Sequence, residues 1–191
     1  AVARRLKPGC AVDYMTILKG PQGIGKSGAI KLLFGETETL EYMRGVSEGK
    51  DALQQNSTIW CHSDEELGNL TNSDRNRLKA QITIRKDTFR APYDASAKEY
   101  PRRYVMWGST NDEGFLPDDG SGQRRYAVVE MQGPVDWKGL AEVREQLWAE
   151  AVAVFLRGEV DFSNIVGASE ASQKYVLRSV MDEYVEDALA Q

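Results

Sequence analysis

Eight consecutive residues constrain this chain more than any others: Gly20-Pro21-Gln22-Gly23-Ile24-Gly25-Lys26-Ser27, a GxxxxGK[ST] run. Glycines let such a run curl until successive backbone N–H groups point inward, where side chains would keep an anion out. A helix beginning at the end of the run adds the positive end of its dipole. Lys26 is placed to reach β- and γ-phosphates, and the Ser27 hydroxyl to ligate Mg²⁺. The flanks suit the motif. Tyr14 to Leu18 is an apolar run of strand length, and Lys26 to Phe34 reads as a helix stopped by Gly35. ATP with Mg²⁺ is therefore the expected ligand, held by residues 20–27 and the adjoining Gly28.

The remainder reads as strands separated by helices, which predicts a mostly parallel α/β fold with flanking helices. Thr58 to His62, Arg103 to Trp107 and Tyr126 to Met131 are candidate strands, and Ile84 to Phe89 is hairpin-like. Asn72 to Ile82 reads as a helix started by Ser73, and residues 36–57 as loop with short helix. A short helix ends near Arg4 to Lys7 at Pro8-Gly9. After Pro134 a helix places Leu140, Val143, Leu147, Ala151, Val154 and Phe155 on one face, and a last helix from about Ser169 does so with Leu177, Val180, Met181, Tyr184 and Val185. Both stripes are expected to be core. The expected organisation is a nucleotide-binding core over 1–133 with C-terminal helices, 134–191, packed on it.

Hydrolysis needs an acid for the metal and the attacking water. Asp64, Glu65 and Glu66 follow the second strand, where that acid belongs. One of the three is read as a Mg²⁺ ligand beside Ser27, with Asp64 the first candidate and Glu65 or Glu66 read as catalytic; the sequence does not decide which carboxylate meets the metal. Asn111, at the end of the strand containing Trp107, could orient water against the γ-phosphate. Arg124-Arg125, after a Gly-rich turn, could stabilise transition-state charge from a neighbouring subunit.

Charge and cysteine content narrow the function. The net charge of -5 argues against a wholly basic nucleic-acid coat. Yet residues 75–103 carry nine basic and three acidic side chains, a local +6, whereas 142–191 carry ten acidic and four basic, a local -6. Such segregation suggests a face for an anionic polymer. Cys10 and Cys61 cannot build a disulfide framework, and Cys61 with His62, the only histidine, lacks further zinc ligands. No apolar window reaches the roughly 18 residues a membrane helix needs, and a cytoplasmic location is expected. The first residue is Ala1, as in a piece of a longer chain.

Taken in order, the segments LKGPQGIGKS (18–27), GKDAL (49–53), DEEL (64–67), LKAQITIRKDTFRAPY (78–93), PRRYVMWGSTN (101–111), GSGQRRYAVV (120–129) and LWAEAVAVFLRGE (147–159) resemble the helicase-like domain of the virulence-associated protein E family. That family belongs to phage and genomic-island replication proteins and is similar to superfamily-three helicases. The resemblance implies an AAA+-like P-loop ATPase core in a homo-oligomeric ring, most often a hexamer, acting as a helicase on single-stranded or replication-fork DNA in a bacterial or phage-infected cell. By resemblance, Lys26 and Ser27 are the Walker A pair, Glu66 belongs to the family's Glu-Leu, Asn111 is the sensor asparagine, and Arg124 or Arg125 is the arginine finger. Arg90 and Tyr93 match an RxxY that such helicases use near DNA; from the basic segment itself, Lys86, Lys98 and Arg102 are further expected phosphate contacts. Two positions depart. Gly28 stands where a better helix former is expected, a cost of about 1 kcal/mol. Ser63 replaces the usual acid three residues before the Glu-Leu. No primase-like segment is present. A P-loop kinase closing Arg124-Arg125 over a small acceptor is one alternative, and a nucleotide-dependent DNA-binding or assembly module without hydrolysis is another.

Overall fold

The computed structural model describes residues 1–41, 53, 56, 58–65, 67, 70–116, 124–158 and 168–176. In chain order these form α1 (Val2–Leu6), β1 (Met15–Lys19), α2 (Lys26–Phe34), β2 (Thr39–Glu41), β3 (Cys61–Asp64), α3 (Asn72–Thr83), β4 (Lys86–Phe89), β5 (Lys98–Pro101), β6 (Val105–Thr110), β7 (Tyr126–Glu130), α4 (Trp137–Arg157) and α5 (Ala168–Gln173). Five strands make one sheet in the order β2-β3-β6-β1-β7, with every pairing parallel. The chain is thus a mixed α/β fold with a parallel sheet flanked by helices.

Side chains along β1 alternate between two cores, as strand geometry requires. Met15 and Ile17 join Met106, Leu78, Ile82, Phe115 and Tyr126 on one face. Leu18 joins Ile30, Phe34, Cys61 and Val105 on the other. Because both faces are covered, the central strands are nearly continuous in burial. Phe34, the last residue of α2, sits edge-on to Trp60, Trp107 and Trp148 and so seats the helix on the sheet.

Several sequence expectations shift. The second strand runs over Cys61–Asp64 rather than Thr58–His62, with all four residues buried. Its polar content hid it. β2 is a short edge strand inside a segment read as loop and helix. α3 is capped by Thr71, not Ser73, in a reciprocal capping box with Asp74. The antiparallel partner of β4, β5, was not expected: its Lys-Glu-Tyr-Pro sequence carries little strand signal.

The α4 stripe is corrected most. No residue of that helix is fully buried, and Val143 and Leu147 are 46% and 43% exposed. The docked face is turned from the predicted one rather than opposite it: Leu140, Ala151, Val154 and Phe155 are half-buried, and beside them Arg144 Nε and Trp148 Nε1 each donate to the Leu33 carbonyl at 2.9 Å. That carbonyl lies in the last turn of α2, where helical geometry leaves acceptors without an intrahelical donor. The predicted stripe from Leu177 onward lies outside the described residues.

Candidate functional site

The three central strands β3, β6 and β1 end at the same edge of the sheet, and the loops leaving them converge there. Gln22, Gly23, Gly25, Lys26, Ser27 and Gly28, from the loop and start of α2, line one cavity with Glu65, Ser109, Thr110 and Asn111. Its volume is about 420 Å³. Gly25 caps α2 with φ of 95°, a left-handed conformation that favours glycine, which lets the chain turn directly into the helix. A Cβ on Gly23 would meet nothing within 4 Å, so the loop faces open space there.

The loop is anchored on both sides. Gly20 N–H donates to the Thr110 carbonyl at 3.2 Å, and Val135 N–H to the Ile24 carbonyl at 2.9 Å. Pro21 and Gly20 present carbonyls inward, each accepting from Lys26 Nζ at 2.8 Å. Desolvation lowers the Lys26 pKa from its ordinary value. The ammonium thus sits over its own loop, ready to exchange two carbonyls for an anion. Ser27 Oγ lies 3.3 Å from Ser109 Oγ, and Ser109 donates at 3.5 Å to the Glu65 carbonyl. One hydroxyl chain therefore ties the loop, β6 and the acidic strand end together.

β6 lies between β1 and β3, so the strand bearing the acids is not the immediate neighbour of the loop strand. Asn111, just past β6, is exposed and lines the cavity. Asp64 ends β3 and is 5% exposed, while Glu65 reaches the cavity. Glu66 lies outside the described residues. Arg124 and Arg125 precede β7, whose first residue pairs with Met15 at the start of β1; they occupy the edge of the sheet opposite the cavity.

Lys19, the last residue before the loop, is a feature that sequence patterns do not mark. Only 6% exposed, it donates to Glu113 at 2.8 Å, lies 3.6 Å from Glu130, and packs over the Tyr175 ring. The Glu113 hydrogen bond raises its pKa, against the opposing effect of burial. This clamp joins the base of the loop to the segment following Asn111.

Of the residues read as nucleic-acid contacts, Lys86, Arg90, Tyr93 and Lys98 lie on the β4–β5 hairpin. Its loop is organised by Asp94, which accepts from Lys98 Nζ at 2.8 Å and Tyr100 Oη at 3.4 Å, while its carbonyl accepts from Arg90 at 2.6 Å. Lys86 pairs with Glu99 at 2.6 Å. Tyr93 is fully exposed and has φ of 67°, uncommon for a bulky residue and the kind of local strain found at functional loops. Arg102 is a correction. It is 2% exposed, and its guanidinium is taken up by Asp87 at 2.7 and 2.9 Å and by Gln81, so it is an internal strut rather than a surface contact.

Among the described residues no cluster of three or more His, Cys, Asp or Glu side chains could hold a metal on its own. The Ser27 hydroxyl and Glu65 line the same cavity, oxygen donors of the kind a hard cation takes beside water. Cys61 is buried and its thiol pKa is pushed up by burial, so it is an inert core residue.

Fold and cavity together define a parallel α/β domain with a glycine-rich cradle at the C-terminal edge of its sheet. The chain belongs to the virulence-associated protein E-like domain family, which it matches over residues 1–184. No curated protein matches the sequence. Two apo A-form structures of the NrS-1 C-terminal region share the fold. One has a TM-score of 0.61 at 21% identity over 96% of this chain, and the other 0.55 at 15% over 97%. The chain spans 46% and 44% of those two chains, less than half of either. Among the described residues no helix is long and apolar enough to cross a membrane.

Proposed function

We propose that this chain is a P-loop NTPase with an AAA+-like core, an ATP-hydrolysing helicase or translocase of phage or mobile-element DNA replication. One observation carries the reading: the glycine loop, an acid from the end of β3 and a polar residue from the end of β6 line a single cavity. Such a convergence is what phosphoryl transfer to water requires, since the protein's part there is positioning and charge stabilisation.

The residues fit ATP and Mg²⁺. Loop N–H groups from Gly23 to Gly28 would hold phosphate oxygens, with Lys26 neutralising their charge. Ser27 and the Asp64 or Glu65 carboxylate would hold the metal, whose chemistry is to draw charge off the bridging oxygens. Asn111 would orient the attacking water, and Glu65 would accept its proton. Arg124 and Arg125 lie too far along the sheet to serve the cavity of their own chain, which supports a role in trans within a ring and counts against a kinase lid. The exposed Tyr93 at the tip of the β4–β5 hairpin, within a 75–103 segment that carries nine bases against three acids, supports contact with single-stranded DNA, by stacking and phosphate pairing. Membership in the virulence-associated protein E-like family supports the replication setting.

The test is ATP hydrolysis with and without single-stranded DNA, beside Lys26→Ala. Turnover is expected to rise with DNA and to fall by roughly 100-fold or more in the variant, with thermal stability retained. Normal turnover by Lys26→Ala would sink the site assignment. ATP binding without turnover in either condition would instead leave a nucleotide-dependent binding module.

A further inference from the structure

A second cavity, of about 580 Å³, opens on the flank of α2 and is lined by Gly28, Lys31, Glu36, Trp137 and Arg144 among others. It shares Gly28 with the phosphate cavity, so the two meet at the first turn of the helix. Trp137 is the first residue of α4, placed there by the Asp136 cap, whose carboxylate accepts from Gly139 N–H at 3.0 Å. The indole lies against the phosphate loop. A Cβ on Gly25 would fall 2.5 Å from its Cζ2, and one on Gly28 only 2.6 Å from its Cη2. This accounts for the glycine at position 28, where helix propensity alone favours almost any other residue. Despite that packing Trp137 remains 49% exposed, a large aromatic surface beside a cavity.

We infer that this second cavity is the nucleobase site and that the Trp137 indole is its stacking platform. The inference rests on the phosphate-loop reading above and extends it to the other end of the ligand. A nucleotide held by the loop has to carry its base out of the cradle, and the Gly28 junction leads past a position with no side chain into a space of ordinary ligand-pocket size. The aromatic surface offers a π-face that any purine can stack on, and Arg144 and Glu36 supply donor and acceptor groups for ring edges. Selection of a nucleoside triphosphate over bare polyphosphate then comes from Trp137, while charge recognition comes from Lys26.

The test is a comparison of two probes, ATP and inorganic tripolyphosphate, by calorimetry on the full chain and on Trp137→Phe, Trp137→Ala and Lys26→Ala. Trp137→Ala is expected to lose roughly tenfold in ATP affinity with tripolyphosphate affinity unchanged. Trp137→Phe, which keeps an aromatic face, should retain most ATP affinity, and Lys26→Ala should weaken both probes. ATP, but not tripolyphosphate, should alter the fluorescence that Trp137→Phe removes. Equal losses for both probes in Trp137→Ala would mean that the indole merely props the loop and would overturn the inference. So would an unchanged ATP affinity. If neither probe binds the unaltered chain, the phosphate-loop reading itself fails, a pattern distinct from tripolyphosphate binding without base selectivity.

Discussion

The glycine-rich cradle and the β4–β5 hairpin are both polar, yet they are held by different forces. The cradle is shaped by backbone: strand ends locked in a parallel sheet, a left-handed glycine, and carbonyl–amide bonds from Thr110 and Ile24. Much of the hairpin's outer surface is shaped by side-chain ion pairs in solvent, Lys86–Glu99 and Lys98–Asp94, whose side chains are 58%/62% and 58%/26% exposed. Exposed pairs contribute little and weaken in salt, whereas a buried backbone network is indifferent to it. The first region is thus built for fixed geometry, the second for a surface that can exchange one set of charges for another.

The largest test of this contrast is at the hairpin's root, where Arg102 and Asp87 form a buried pair with 1% and 8% of their side chains exposed. Asp87→Ala leaves that guanidinium without its carboxylate and is expected to cost about 3–5 kcal/mol, measured by urea unfolding. A loss under 1 kcal/mol would show that the pair is replaceable and the root no stiffer than the tip.

Acid should act on the sheet before the hairpin. Burial, with a contribution from Arg102, lowers the His62 pKa from 6.5 to about 4. The unfolded chain therefore takes up the proton first, so stability contributed by neutral His62 is complete above pH 6.5. It is lost as pH falls toward about 4 and changes no further below that. The difference corresponds to about 3 kcal/mol at most, readable as an acid-side drop in melting temperature that His62→Gln flattens.

Smaller effects belong to the hairpin surface. Tyr93→Ala is expected to leave melting unchanged, because the side chain touches little, and to weaken single-stranded DNA binding by about 1–3 kcal/mol. Unaltered DNA affinity would remove the hairpin tip from the interface. Lys86→Ala should change stability by less than about 1 kcal/mol and reduce the salt dependence of DNA binding by about one phosphate contact.

The cradle was legible because its signals are local. Gly25, Lys26 and Gly35 mark the start and stop of α2, and the observed helix has the predicted bounds. The acidic strand was harder. Cys61-His62-Ser63-Asp64 is fully buried though largely polar, and burial on both faces erases the alternation that reveals a strand. Part of the docking face of α4 escaped for another reason: beside the half-buried Leu140, Ala151, Val154 and Phe155, Arg144 and Trp148 seat it through hydrogen bonds to a helix-end carbonyl, and apolar periodicity does not register such contacts. Trp137 left only an indirect trace, an ill-suited glycine at position 28 more than a hundred residues upstream. The charges of residues 75–103 were visible as a sum, but residue type could not separate the buried Arg102 from its exposed neighbours.

Placing Arg124 and Arg125 at the edge of the sheet opposite the cavity has a consequence for how the proposed ATPase would be controlled. On that proposal a lone chain would carry a socket and a plug that do not meet, so newly made molecules would hold nucleotide without consuming it. Turnover per molecule would climb with concentration and level off once every socket had a neighbour, which makes encounter with other copies the throttle on fuel use.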